Sequence, residues 1–150
     1  MSVSMNGSDT IILDTRIMKD FGDGDTTVLT FPNNVVEAKR GKNGNVLFAL
    51  NSTGKVANVV VRVLLGSDDD KYLNSRLQEY LNDPAAFILF SGEFIKRSGD
   101  GAGNVTNIVY QLSAGAIQKM VEGKENVEGD TEQAIAIYTM VFANGDRALT

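Results

Sequence analysis

Between positions 56 and 65 the chain alternates with period two. Ala57, Val59, Val61, Val63 and Leu65 fall on one side of an extended backbone, while Asn58 and Arg62 share the other with Val56, Val60 and Leu64. A strand with one fully apolar face follows. Thr26–Phe31 is rich in β-branched residues and meets Pro32, which has no ladder donor, so it predicts a second strand and its end. Asn45–Leu50 predicts a third. Lys39-Arg-Gly-Lys-Asn-Gly44, lying between these last two, reads as a turn or loop tip, because glycine and asparagine accept positive φ at little cost. Thr10–Leu13 and Arg16–Met18 predict two short strands ahead of Asp20-Phe-Gly-Asp-Gly-Asp25, a loop in which every residue but one is Gly or Asp.

The periodicity changes once. Ser67 precedes three aspartates, which places an N-cap hydroxyl and negative charge at the positive end of a helix dipole. Leu73, Leu77, Tyr80 and Leu81 then recur at helical spacing until Asn82-Asp-Pro84 ends the run, predicting one amphipathic helix to lie on a sheet. Beyond it, Ala85–Arg97 and Val105–Met120 predict two long strands joined by Ser98-Gly-Asp-Gly-Ala-Gly-Asn104, a long hairpin. An acidic connection, Glu122–Glu132, leads to a last strand, Ala134–Phe142, apolar on both faces: Ile135, Ile137 and Val141 on one, Ala136, Tyr138, Met140 and Phe142 on the other. A half-solvated sheet alternates more cleanly, so this strand is either sandwiched between layers or covered by another subunit. The predicted class is mainly β (α+β): two packed antiparallel sheets forming a sandwich or barrel, one flanking helix and long hairpins.

Length and composition narrow what such a fold can do. At 150 residues the chain makes one domain by the usual allowance of about 100–200 residues per domain. It contains no His, Cys or Trp. Imidazole or thiolate zinc sites, Ser-His-Asp and Cys-His catalysis, Fe–S clusters and disulfides are therefore excluded. Nineteen acids against 14 bases leave a net charge of −5. The polar start Met1–Ser8 lacks the basic and apolar regions of a signal peptide, and no apolar run reaches the length of a membrane span, so the expectation is a soluble, cytoplasmic domain.

Short motifs add little chemistry. Asp20-Phe-Gly22 spells the kinase metal triplet without the other kinase elements, and Asp20–Phe31 fails as a calcium loop at Gly22 and Phe31. Asp20, Asp23 and Asp25 are left as a weak surface calcium site against a plain turn, and Asp68–Asp70 as a magnesium site against helix N-terminal charge. Gly54-Lys55 is not a P-loop, and Gly99-x-Gly-x-Gly103 has no helix start to receive a pyrophosphate. Asn6, Asn51 and Asn104 begin glycosylation sequons that mean nothing without secretion. Lys39, Arg40 and Lys42 form the basic cluster, small and without interleaved aromatics, so it reads as a solvated loop rather than a nucleic-acid patch. No catalytic, cofactor-binding or metal-binding residue is assigned, and the chain is read as a non-enzyme.

Several runs together resemble tail tube proteins of contractile-tailed bacteriophages: Asp20-Phe-Gly-Asp-Gly-Asp25 leading to Leu29-Thr-Phe-Pro-Asn33, Gly41-Lys-Asn-Gly-Asn45 with Phe48-Ala-Leu-Asn51 and Thr53-Gly-Lys55, Gly66-Ser-Asp-Asp-Asp-Lys71 with Leu73-Asn74, and Asn126-Val-Glu-Gly-Asp-Thr-Glu-Gln133 before the last strand and Arg147. The resemblance implies hexameric rings that stack into a hollow tube, with strands of all subunits joined in one inner barrel. It also implies a sheath, a tape-measure protein and a baseplate as partners, assembly in the host cytoplasm, a place in the virion tail, and passive conduction of DNA without specific binding, cofactor or membrane insertion. Acidic walls suit that task, since a basic bore would hold duplex DNA. Glu93, Asp100, Glu122 and Glu128 are the candidate lumenal acids, and Lys39–Gly44 and Ser98–Asn104 the segments expected to reach a neighbouring ring or the sheath. Three alternatives stand beside this reading: the tube of a type VI secretion or other contractile injection system, a non-catalytic β-sandwich binding module, and a two-carboxylate hydrolase with a divalent ion.

Overall fold

The computed structural model describes residues 2–5, 9–19, 27–123 and 135–149. Alternating apolar residues build the central strands. In β7 (Ala57–Leu64) the residues Ala57, Val59, Val61 and Val63 are all fully buried, as the period-two pattern requires, while Leu65 lies in the turn beyond and is exposed. Short strands β1 (Ser2–Met5) and β4 (Thr27–Thr30) extend the sheet on one side of β7. On the other side lies β11 (Ile135–Leu149), followed by β9 (Val105–Ile117), β8 (Phe90–Gly99), β2 (Thr10–Leu13) and β3 (Arg16–Ile17). The two-residue strand β10 (Glu122–Gly123) adds to β11, giving a nine-stranded sheet with order β1-β4-β7-β11-β9-β8-β2-β3, antiparallel throughout. A separate two-stranded sheet, β5 (Val36–Arg40) with β6 (Val46–Leu50), is followed by a 3-10 turn at Ser52–Lys55.

One long sheet encloses a core because it bends. Ile135–Phe142 of β11 pairs with β7, whereas Met140–Leu149 pairs with β9, with a gap at Ala143, so β11 belongs to two layers that share only a short overlap. There the alternation slips by a residue. Phe142 and Gly145 are both buried, with Ala143 and Asn144 exposed between them. In β9 the matching residues are Gly115 and Leu112, and Ala114 absorbs the slip with φ +56°. The β8–β9 register shifts at the same place, between Phe90 and Gly92. Register shifts bend strands and increase twist, so the β8–β9 shift beside the slip in facing that β9 and β11 share folds the sheet over its own inner face. The packing is sandwich-like without a closed barrel. Phe142 fills the bend, edge-on to Phe90 at 5.6 Å and to Phe94 at 6.5 Å. A Cβ on Gly115 would lie 2.3 Å from the Phe142 ring, so this position has no room for a side chain.

Helix α1 (Asp68–Asn82) closes the core with Leu73 and Leu77. Its start matches the expected cap: Ser67 Oγ accepts from Asp70 N at 3.2 Å. Two of the three aspartates do more than complement the dipole. Asp69, with no exposed surface, accepts from Arg16 Nε and Nη2 at 3.2 and 3.0 Å and from Lys19 N at 2.7 Å, which ties the β3 edge to the helix. Asp70 accepts from the Tyr138 hydroxyl and from Gly66 N.

Several boundaries differ from the sequence reading. The strand expected over Ala85–Arg97 begins only at Phe90, because Arg76 Nη2 donates to Ile88 O at 3.0 Å and the guanidinium lies over Phe87 and Phe90, holding 84–89 against the helix end. The next strand stops at Ile117 instead of Met120. The last continues from Phe142 to Leu149 past its slip in facing. Lys39 and Arg40, read as loop, complete β5 in register with Leu47 and Val46.

Candidate assembly surface

The β5–β6 hairpin is an arm that the other described residues do not cover. Cross-strand pairs Val36–Leu50, Ala38–Phe48 and Arg40–Val46 place an apolar row on one face, and Glu37–Ala49 and Lys39–Leu47 form the other. Every residue of both strands is exposed. Phe48 keeps 69% and Leu50 78% of its surface in contact with solvent. An isolated two-stranded ribbon is marginal in water, and an apolar row of this kind marks an interaction surface. The tip turns at Gly44, φ +81°, with Gly41 N donating to Asn45 O. At its root Asn51 N donates to Val35 O, and a groove of about 430 Å³ opens between Phe31, Val35, Gly54 and Gly145–Arg147.

The second hairpin tip is self-contained. Asp100 Oδ1 accepts from Ala102 N and Asn104 N at 2.7 and 3.2 Å, and Oδ2 from Asn104 Nδ2 at 2.7 Å. These bonds, the Asn104 amide foremost, hold the Asp100 carboxyl below its ordinary range. Its candidate role as a lumenal acid thus coincides with a turn-forming one. Glu93 lies on the outward face of β8, where register aligns it with Ile12, Gln111 and Asp146 in one row across four strands. Glu122 sits apart on β10, opposite Ile137, which pairs with Arg62. Glu128 lies outside the described residues, as do Asp20, Asp23 and Asp25. The structure therefore aligns Glu93 with Asp146, an acid that sequence reasoning missed because the slip at Ala143–Asn144 reverses the facing of everything after it. Arg97 shares the outward side of β8 with Glu93, and Arg62 lies on the outward side of β7 near Glu122, so each layer's outer face is mixed in charge.

Among the described residues no group of three or more acids is arranged to hold a metal ion. Of the aspartate run, Asp69 is engaged by Arg16 and the amide of Lys19, and Asp70 by Gly66 and Tyr138. Further exposed apolar residues lie at the end of α1 and just beyond it: Tyr80, whose ring meets Phe87 at 5.3 Å, Leu81, Ile88 and Leu89.

No protein-family model matches the chain, and no curated protein matches it either. Among solved structures it superposes on the cryo-EM structure of the anti-feeding prophage cap, described as a tube terminating cap, with a TM-score of 0.61 at 10% identity, covering 99% of this chain and 92% of that one. This chain shares that cap's fold. At this identity the likeness is one of architecture, and it extends over essentially the whole of both chains.

Proposed function

We propose that this chain is a non-catalytic structural subunit of a contractile phage-tail-like particle, one that associates with copies of itself into rings of the tail tube. The observation that carries the reading is the end-to-end likeness to a tube terminating cap. Two features of the chain support it. The nine-stranded sheet is open, with β1 and β3 as edges that a neighbouring subunit could pair. The apolar arm exposes a surface that the other described residues do not cover.

In the finer form of the proposal six copies close a ring, rings stack within a sheath, and the bore passes DNA. The outer side of the β8–β9 layer carries Glu93 and Asp146 with Arg97, and that of the β7 layer Glu122 near Arg62, so neither of these described rows has a basic excess that would hold duplex DNA by counterion release. A second reading is favoured by the neighbour's own description: the chain closes a tube rather than building it. Negative-stain electron microscopy of the purified protein tests both. Stacked tubes support the tube subunit, single rings that do not stack support the cap, and a monomer at every concentration overturns both.

A further inference from the structure

We infer that the β5–β6 arm of one copy docks on the shoulder of a second copy formed by the end of α1 and the segment leading into β8. The inference rests on the self-assembly proposed above and names the two surfaces that meet. Both are apolar and not covered by the other described residues. The arm presents Val36, Ala38, Val46, Phe48 and Leu50 on one face. The shoulder presents Tyr80, Leu81, Ile88 and Leu89, of which Ile88 retains 78% of its surface.

Charge selects the pairing and makes a second copy the fitting occupant. Residues 36–50 hold Lys39, Arg40 and Lys42 against Glu37, a net +2, so the chain's −5 leaves −7 on everything else. Bodies repel one another, whereas an arm is attracted to another body. The shoulder is rimmed by Glu79 and Asp83, both exposed, beside a hollow of about 220 Å³ lined by Arg76, Ala86, Phe87 and Ile88. Arg76 in that hollow pairs with Asp14 at 3.6 Å and Glu79 at 3.1 Å and donates to the carbonyl of Ile88, so Asp14, Glu79 and Asp83 against this one arginine leave the group a net −2. Basic tip and acidic rim are thus complementary.

The shoulder is also preformed. Arg76 lies over Phe87 at 5.0 Å and over Phe90 at 5.4 Å, and Tyr80 stands edge-on to Phe87 at 5.3 Å, so residues 84–89 are held before any partner arrives. A rigid surface loses little entropy on docking. Because arm and shoulder are different surfaces, the contact is heterologous and leaves a free arm and a free shoulder on every pair, so it either closes a ring or propagates.

The absence of native cysteine gives a clean test. Ala38→Cys and Ile88→Cys, both at exposed positions, are purified separately, mixed in equal amounts and oxidised. A disulfide-linked heterodimer well above the homodimers of either variant alone is expected, together with a ladder of linked multimers when one chain carries both cysteines. No heterodimer, or an intramolecular link in the double variant, overturns the inference. A second measurement reads charge: Lys39→Glu, Arg40→Glu and Lys42→Glu together should weaken self-association at least 10-fold, and mixing with Glu79→Lys, Asp83→Lys should restore it. Rings or tubes that persist without crosslinking and without charge dependence sink the docking geometry and leave self-assembly standing. A strict monomer in microscopy and crosslinking alike sinks both.

Discussion

The hydroxyl of Tyr138, in the middle of β11, donates to the carboxylate of Asp70 in the first turn of α1 and lies 3.1 Å from the Asp70 carbonyl oxygen. A helix start is thereby fastened to a central strand of the sheet. Burial, then the hydrogen bond to Asp70 and its charge, push the phenol above the ordinary tyrosine range. The folded state therefore keeps this proton at pH values where the unfolded chain has lost it.

Stability should accordingly fall as pH rises above about 10, the unfolded tyrosine value, by up to ~1.4 kcal/mol per pH unit from this group. Tyr72, raised by burial and by Asp14, adds to the same slope. Tyr138→Phe should cost about 1–2 kcal/mol at neutral pH by leaving Asp70 short of a donor, and should flatten the alkaline slope. Denaturant melts of both proteins between pH 8 and 11 measure this, and parallel alkaline slopes would count against it.

Asp69→Ala should be among the costlier substitutions, about 3 kcal/mol, because it strips a fully buried carboxylate from Arg16 and from the amide of Lys19 together. Hydrogen exchange would show the loss locally, with protection falling in β2 and β3 before β7.

At the sheet bend, Ala114 holds φ +56°, a conformation that costs a residue with a Cβ on the order of 1 kcal/mol. Ala114→Gly should stabilise by about 0.5 kcal/mol after the added freedom of the unfolded chain is counted. Gly115→Ala, with its new methyl 2.3 Å from the Phe142 ring, should instead cost about 1–3 kcal/mol. Equal thermal midpoints for the two variants would contradict the bend as described.

Phe48→Ser with Leu50→Ser should leave the monomer's stability within about 0.5 kcal/mol, since neither side chain joins the core, yet abolish higher-order assembly. Sedimentation velocity with a parallel chemical melt separates these effects. A destabilised monomer would place the arm in the fold rather than on its surface.

What the local pattern could express, it expressed well. Period two in Val56–Leu65 assigned the buried face of β7 in all but Leu65, Ser67 with its aspartates marked the helix start, and the absence of His and Cys excluded whole classes of chemistry. The two-faced apolar character of Ala134–Phe142 was equally visible in sequence, with Ala136, Tyr138, Met140 and Phe142 forming the core side.

Contacts between distant positions were another matter. That Asp69 meets Arg16, that Arg76 draws residues 84–89 out of a strand, and that Glu93 aligns with Asp146 all depend on long-range register, which no local periodicity carries. The slip in facing shared by β9 and β11 shows the reason most plainly. One extra residue on each strand preserves their pairing while inverting the facing of everything beyond it, so a reading by alternation ends at Phe142 and the strand does not. Hydrophobic spacing determined the elements and their buried faces; only the folded sheet decided where it bends, which acids share a row, and that an apolar arm is left uncovered.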